Sequence, residues 1–595
     1  MIKKAIRAIN RLNQWRIQRI SNKNFMVILA VIVGLIGGLA ASALKALTHY
    51  IATVLQNDVS WDFRGYLFLV FPMIGILLSV LYVRKFIKAK KMEHGITPIL
   101  YSISNRSSRI PVHNVYSQIV TSALTVGFGG SAGLEAPIVA SGSAIGSNIG
   151  RFFGLNYREV TMLLACGAAA GIAGAFNSPV AGLVFAVEIL LAEFSIPAFI
   201  PLLMAAATSS VVSRMLYAEP LFHLVTDTWH IEALLFYIAV AILVGLFSVF
   251  FNRLNYRAAK WFKSFTNPYR KAIVSGLILG ILIFVFPALY GEGYLAIQQL
   301  LAGNNNSLLS NSVFSEYQHI GWLVVAYSAI TVFAKAYATV FTLHSGGNGG
   351  NFGPSLVMGG LLGFAFAHGI NLTGLVELNT ANFIVVGMAG ALSGIMHAPL
   401  TGIFLIAEIT GGYVLMVPLM IVSAISYFIN KSTLKYSIYT QSLAESGELL
   451  SYEDKDKTVL RMMKLRYVVE KNFTILHPDE KAGDRKLDIL YTKRNIFPVV
   501  DDKGQLLGII YSEKLFEILV GEGNNDKTMK ELAQPPQDVI RIDANMYDVM
   551  RKMDREDIWT LPVVDTDDKY VGFVSKSAIF NKYRALLMRM GRYLE

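Results

Sequence analysis

Long apolar stretches, separated by short polar or basic segments, run through the first 440 residues. They predict membrane segments near 25–55, 66–84, 114–126, 138–152, 159–191, 197–217, 230–252, 270–292, 320–343, 354–371, 381–410 and 413–430. A hydrocarbon core takes roughly 20 apolar residues as helix, and several of these stretches are shorter or broken by glycine, so they do not all read as full crossings. The stretch 127–137, GFGGSAGLEAP, interrupts two apolar runs and puts one carboxylate, Glu135, where a helix can begin. Non-helical backbone at membrane depth survives only when buried in protein or lining a wet cavity. A carboxylate there is a functional candidate.

The interruption occurs twice. Residues 346–354, GGNGGNFGP, match GGSAGLEAP with glycines 129, 130 and 133 on 346, 347 and 350, and Pro137 on Pro354. Gly142 then falls on Gly359 and Gly146 on Gly363. A later pair, GAFNSPVAGLVFAVEI (174–189) and GIMHAPLTGIFLIAEI (394–409), agrees at Gly174/Gly394, Pro179/Pro399, Gly182/Gly402 and Glu188/Glu408. Two halves with glycine-interrupted segments at corresponding places point to a transport site near the bilayer midplane.

Composition agrees with this pattern. The 595 residues are 54% hydrophobic and only 16% charged, against roughly 25% charged in soluble domains. The net charge of +12 lies in basic residues beside the apolar runs, as the positive-inside rule predicts, and not in a nucleic-acid footprint. Residues 1–24 read as a basic amphipathic helix on the cytoplasmic surface. RKFIKAKK (84–91) and the basic stretch 253–271 place those loops on the same side. The single cysteine, Cys166, excludes a disulfide framework. No metal-ligand cluster or nucleophile–base spacing suggests an enzyme. Lys335, alone in an apolar run, reads as a snorkelling or helix-end cation.

After about residue 441 the chain turns charged and mixed, which predicts a soluble domain. It holds its own repeat: FPVVDDKGQLLGII (497–510) and LPVVDTDDKYVGFV (561–574), each a buried strand, an acidic turn and a second strand.

Taken together, these motifs resemble the CLC chloride channel and chloride–proton antiporter family, and the resemblance covers nearly the whole chain. Gly133-Leu134-Glu135-Ala136-Pro137 is similar to its gating-glutamate motif, and GGNGGNFGP to its GxFxP signature. NSPVAGLVFAVEI and HAPLTGIFLIAEI are similar to its duplicated later helices, and Tyr436 to the tyrosine lining its inner anion site. The C-terminal repeat resembles paired CBS domains. The resemblance implies a polytopic α-helical membrane protein with an inverted repeat, a homodimer with one anion pathway per subunit, and a cytoplasmic α/β CBS pair. The implied boundaries are 1–24 for the amphipathic helix and 25–440 for the membrane domain, with repeats at about 25–217 and 230–440. A linker at 441–462 and CBS motifs at 463–525 and 526–590 follow. Broken helices would aim their N-termini at one point, building an anion site from backbone N–H groups without buried Lys or Arg. The anion site would comprise Gly133, Gly350, Asn351, Phe352 and Tyr436, with Glu135 as gate and proton carrier, in a plasma (inner) membrane with both termini cytoplasmic.

The chain departs from the family pattern at three places. EHGITP (93–98) puts His94 where a serine hydroxyl usually contacts chloride; a histidine N–H could serve an anion instead. This keeps a fluoride exporter of the same superfamily open as a weaker alternative. At the position where antiporters carry an internal proton glutamate stands Ile189, next to Glu188. Adjacent helix positions point about 100° apart, so Glu188 does not substitute, and its repeat as Glu408 favours a helix-end role for both. The tilt is towards passive chloride conduction, with a chloride–proton antiporter using another proton route as the alternative. In the CBS copies, the family's nucleotide-holding hydroxyl survives only at Ser575 and its acid at neither copy, so an adenine nucleotide is the weaker expectation and a dimerising or gating scaffold the stronger. No metal or other cofactor is expected. A CBS-regulated cation-handling or sensor protein is the distant rival, disfavoured because the breaks hold a single acid.

Overall fold

The computed structural model describes residues 19–57, 67–87, 95–191, 196–217, 228–310, 312–446, 463–520 and 526–591, with residues 448 and 460 besides. Most of the expected amphipathic segment at 1–24, and His94, lie outside the described residues. The chain divides into two compact units, one to Leu449 and one from Leu450. Among the described residues, seven helices are long and apolar enough to cross a membrane.

Among the described residues the first unit is built of helices, and its two halves use the same local devices. Helix Tyr157–Phe176 starts from a capping box between Asn156 and Glu159 and stops at Asn177, which takes a left-handed φ of 56°. Pro179 then opens a new short helix, Pro179–Phe185, where its missing N–H costs nothing. In the other half Asn379 caps helix Thr380–Met396, His397 has φ of 58°, and Pro399 opens Pro399–Ile409. The runs 159–191 and 381–410, read as single stretches in the sequence, are therefore each two helices at an angle. The expected span 270–292 also ends early. Helix Pro268–Val285 stops, and the chain passes through an irregular turn before Tyr294–Leu301.

Glycine sets the closest helix contacts. A side-chain carbon at Gly142 would lie 2.1 Å from the Gly167 carbonyl oxygen, and one at Gly359 would lie 2.2 Å from that of Gly387. Helices Glu135–Phe152 and Phe352–Thr373 thus press backbone to backbone against Tyr157–Phe176 and Thr380–Met396, as small residues permit in lipid.

Reciprocal contacts define a local two-fold between the halves. Glu188 accepts from the Leu400 and Thr401 amides at 3.0 and 2.7 Å and from the Thr401 hydroxyl at 2.7 Å. Glu408 accepts from the Val180 and Ala181 amides at 3.0 and 2.8 Å. Each carboxylate caps the short helix of the other half, whose own N-cap residue, Ser178 or Ala398, makes no side-chain cap bond. Helix-end acids are what the Glu188/Glu408 repeat predicted.

In the second unit the two hairpins are superimposable in pattern. Ile496–Val500 pairs antiparallel with Leu506–Tyr511, and Thr560–Val564 with Tyr570–Ser575, with the register shift at the same step, Val499/Val500 and Val563/Val564. Leu476 joins Val499 and Ile540 joins Val563, both parallel. The copies then exchange edges: Ile509 bridges Gln534, and Phe573 bridges Glu470. Gly508 and Gly572 lie under these crossings, where a side-chain carbon would stand 2.9 Å and 2.4 Å from the carbonyl oxygens of Gln534 and Glu470. Strand packing accounts for both glycines.

The reciprocal caps yield a stability prediction. Glu408→Ala leaves two helix-start amides uncapped and is expected to cost about 0.5–2 kcal/mol, with Glu188→Ala matching it. Thermal unfolding of the detergent-purified protein measures both; an unchanged midpoint in either contradicts the mutual capping.

Candidate functional site

The two glycine breaks meet. Gly133 N–H donates to the Gly350 carbonyl at 2.9 Å and Gly350 N–H to the Gly133 carbonyl at 2.8 Å, an antiparallel bridge between residues that correspond in the two halves. Each break is also pinned to the other half by a threonine. Ser131 N–H donates to the Thr342 hydroxyl at 3.1 Å, and Asn348 N–H to that of Thr125 at 3.0 Å. Gly129 and Gly346 begin the breaks at φ of 92° and 116°, a conformation that suits glycine.

This pairing brings the starts of helices Glu135–Phe152 and Phe352–Thr373 together. A helix start carries unpaired N–H groups and about half a positive charge, and neither helix here has a side-chain N-cap bond. The Glu135 carboxylate, 2% exposed, takes up that offer. Its Oε2 accepts from the Gly353 amide at 3.2 Å and its Oε1 from the Tyr294 hydroxyl at 2.6 Å. The carboxylate of one half therefore sits on the helix start of the other. Gly133 leaves room for it: a side-chain carbon there would lie 2.1 Å from Glu135 Oε2. Chemically, the place presents N–H and O–H donors to an acceptor, and the Glu135 carboxyl is the acceptor that occupies it.

Of the residues singled out in the sequence, Glu135, Gly133, Gly350, Asn351 and Phe352 come together here. Phe352 is fully buried, with its ring against Phe176 and Phe185. Tyr436 does not join them by any described hydrogen bond; it is half-buried with Lys435 over its ring. The buried tyrosine is Tyr439, three residues on. It is 4% exposed, lies within electrostatic reach of Glu135, directs its hydroxyl at Met396 Sδ, and accepts from Thr97 through its carbonyl. Ile189 lies in the π-type turn Ala186–Leu190 and packs, half-buried, against the main core. In the second unit the Ser575 hydroxyl donates to Glu470 at 3.0 Å and caps the Ala578 amide at 3.1 Å. Glu470 is in turn paired with Arg494.

Two expectations need correcting. Lys335 does not snorkel: it is fully buried, and its ammonium donates to the Leu289 and Gly291 carbonyls at 3.3 and 3.0 Å. Nor is a buried lysine absent from the surroundings of the site, and an acid from outside the two breaks joins them. Lys45, which donates to the Gly174 carbonyl at 3.0 Å, and Lys335 both interact electrostatically with Glu135 and with Glu292. Glu292 accepts from the Leu134 amide at 3.2 Å, immediately before Glu135. The sequence reading missed Glu292 and Tyr294 because it ran a membrane span through residue 292. The signal was present as GEGY, an acid between two glycines after Pro287. A cavity of about 790 Å³ reaches this place, lined among others by Lys45, His49, Glu135, Glu292 and Tyr294.

Comparison with known proteins bears on these features. The family model described as "Voltage gated chloride channel" matches residues 74–431, and the model "CBS domain" matches residues 529–585. A ClcB-like chloride channel protein of Ralstonia nicotianae is 30% identical over 71% of this chain and 97% of its own length. The H(+)/Cl(-) exchange transporter ClcA of Yersinia pestis is 31% identical over 54% of this chain and 67% of its own. A crystal structure of a eukaryotic CLC transporter shares the fold with a TM-score of 0.59 at 18% identity, over 94% of this chain and 99% of that one.

The contacts of Glu135 predict competition for the Gly353 amide. Tyr294→Phe removes one hydrogen bond to a carboxylate, about 1.5–3 kcal/mol, so an external anion is expected to bind roughly tenfold tighter or more. Chloride titration calorimetry on wild type and variant measures this; equal affinities contradict the competition.

Proposed function

Since the chain belongs to the voltage gated chloride channel family, we propose that it carries chloride across the membrane by a pathway that Glu135 gates. The observation that carries this reading is the Glu135 carboxylate on the Gly353 amide. A chloride ion and a carboxylate oxygen want the same thing there: an N–H donor at the positive end of a helix. While Glu135 is ionised it holds the place and the path is shut. Once protonated it loses its attraction to the helix start, and chloride takes the amide.

The transport is channel-like or weakly proton-coupled. Ile189 is the supporting residue: it packs against the apolar core and offers no titratable group at that position. Glu188 is committed to three hydrogen bonds at the start of helix Pro399–Ile409. A second reading, chloride–proton exchange by a route that needs no acid at position 189, draws on the relative described as an H(+)/Cl(-) exchange transporter. Gly350, Asn351 and Phe352 complete the anion site from the second half, with Tyr436 or the deeper Tyr439 closing it from the inner side. The protein works as a homodimer in a plasma membrane with both termini cytoplasmic, as the basic loops around Arg84, Lys85, Arg253 and Arg257 suggest. The CBS pair serves as a scaffold: Ser575 is engaged with Glu470 and a helix start, which disfavours a ribose there.

Paired chloride and proton fluxes from liposomes test this, for wild type, Glu135→Gln and Ile189→Glu. Wild-type chloride efflux is expected to drive no uphill proton movement, and Glu135→Gln to change the chloride rate alone. Uphill proton movement by wild type, abolished in Glu135→Gln, favours the exchange reading instead. Ile189→Glu is expected to leave the chloride rate within roughly tenfold of wild type, since position 189 is off the break.

A further inference from the structure

The gate has a second carboxylate that the anion pathway does not need. Glu292 stands in the turn Gly291–Tyr294, which grips the gate twice: Glu292 accepts from the backbone N–H of Leu134, and Tyr294 donates to the side chain of Glu135. The turn itself is held from below by Lys335 through the Leu289 and Gly291 carbonyls. Glu135 is sealed at 2% exposure, while Glu292 is partly exposed, and both line the same cavity. The titratable groups around Glu292 are Glu135 and Tyr294 at the gate, Lys335 on helix Gly321–His344, Lys45 and His49 on helix Asn22–Asn57, and Tyr290 and Tyr217 on the cavity wall.

A structural cap for Leu134 needs only an acceptor, which an amide side chain supplies equally well. A carboxylate adds two things: a negative charge beside the gate, and a place for a proton between cavity water and a sealed acid. We propose that Glu292 is the cavity-side proton station of Glu135, taking protons from cavity water and passing them to the gate. In the transfer, the Glu292 carboxyl gives its proton to the Glu135 carboxylate. The neutral gate leaves the Gly353 amide, and Glu292, left ionised, is reprotonated from the cavity. Lys45 and Lys335 balance the two carboxylates when both are charged, which allows two acids to share a low-dielectric site at all. Glu292 is thus a positioning and proton-transfer residue for the gate, and the inference rests on the reading of Glu135 as that gate.

The test is chloride efflux from liposomes of the full-length protein at matched internal and external pH, across roughly pH 4 to 8. It compares wild type, Glu292→Gln, Glu135→Gln and the double variant. Ionised Glu292 favours a proton on its neighbour, as like charges do. Glu292→Gln keeps the acceptor for Leu134 and removes the charge, so its flux profile is expected to move to more acid pH by roughly one unit. In the Glu135→Gln background the same change is expected to do nothing. A Glu292→Gln profile superimposed on wild type overturns the proposal, as does a shift that persists in the double variant. If Glu135→Gln itself keeps the wild-type profile, the gate reading fails instead. Glu292→Asp is the second variant: it is expected to stay nearer wild type than Gln does, and a profile equal to that of Gln overturns the proton role.

Discussion

Everything in the membrane unit depends on one short antiparallel bridge, Gly133 to Gly350. Two breaks in two helix pairs would each leave polar backbone bare at membrane depth, a cost of several kcal/mol per group. Paired with one another, and pinned by Thr125 and Thr342 from opposite halves, they satisfy these groups. The pairing also leaves two helix starts facing a common point. The electrostatic consequence is a place where helix-start N–H groups favour a hydrogen-bond acceptor.

Glu135 occupies that place, and the surrounding residues show how it is accommodated. Gly133 and Gly353 clear the space a carboxylate occupies. The Gly353 amide, the residue's own backbone amide and the Tyr294 hydroxyl hold it. A lysine in direct contact would hold either anion too firmly. Lys45 and Lys335 instead direct their hydrogen bonds at the carbonyls of Gly174, Leu289 and Gly291. The turn that carries Glu292 and Tyr294 lies with Glu135 on the wall of one cavity.

The two-fold that produces the site also stabilises it. Glu188 and Glu408 would be isolated acids in an apolar region if either half stood alone; across the axis each closes the other's helix start. The same logic recurs in the second unit, where each copy lends an edge to the other and glycine marks the crossing. In both units, duplication solves a burial problem that one copy could not.

Membrane class, internal repeat, the carboxylate at the glycine break and the CBS hairpins were legible in the sequence, because each is written in local terms. Apolar length, glycine spacing, a Pro after a break and strand–turn–strand alternation are properties of contiguous residues. Glu135 stood out since an acid in an apolar, glycine-rich stretch has few bland explanations. The partners of Glu135 were not legible. Tyr294 and Gly353 lie far along the chain, and only the fold brings them to it. Lys335 read as a snorkelling cation because its sequence neighbours are apolar on both sides, while its true partners are carbonyls of a turn some forty residues earlier. The motif singled out Tyr436, but the burial of Tyr439 was not legible, since both follow the same helix and only packing decides which ring is buried. The chain by itself thus determined where backbone breaks and charge must exist; the tertiary structure alone decided which distant groups meet at them, because hydrogen bonds and Coulomb interactions act through space and not along the chain.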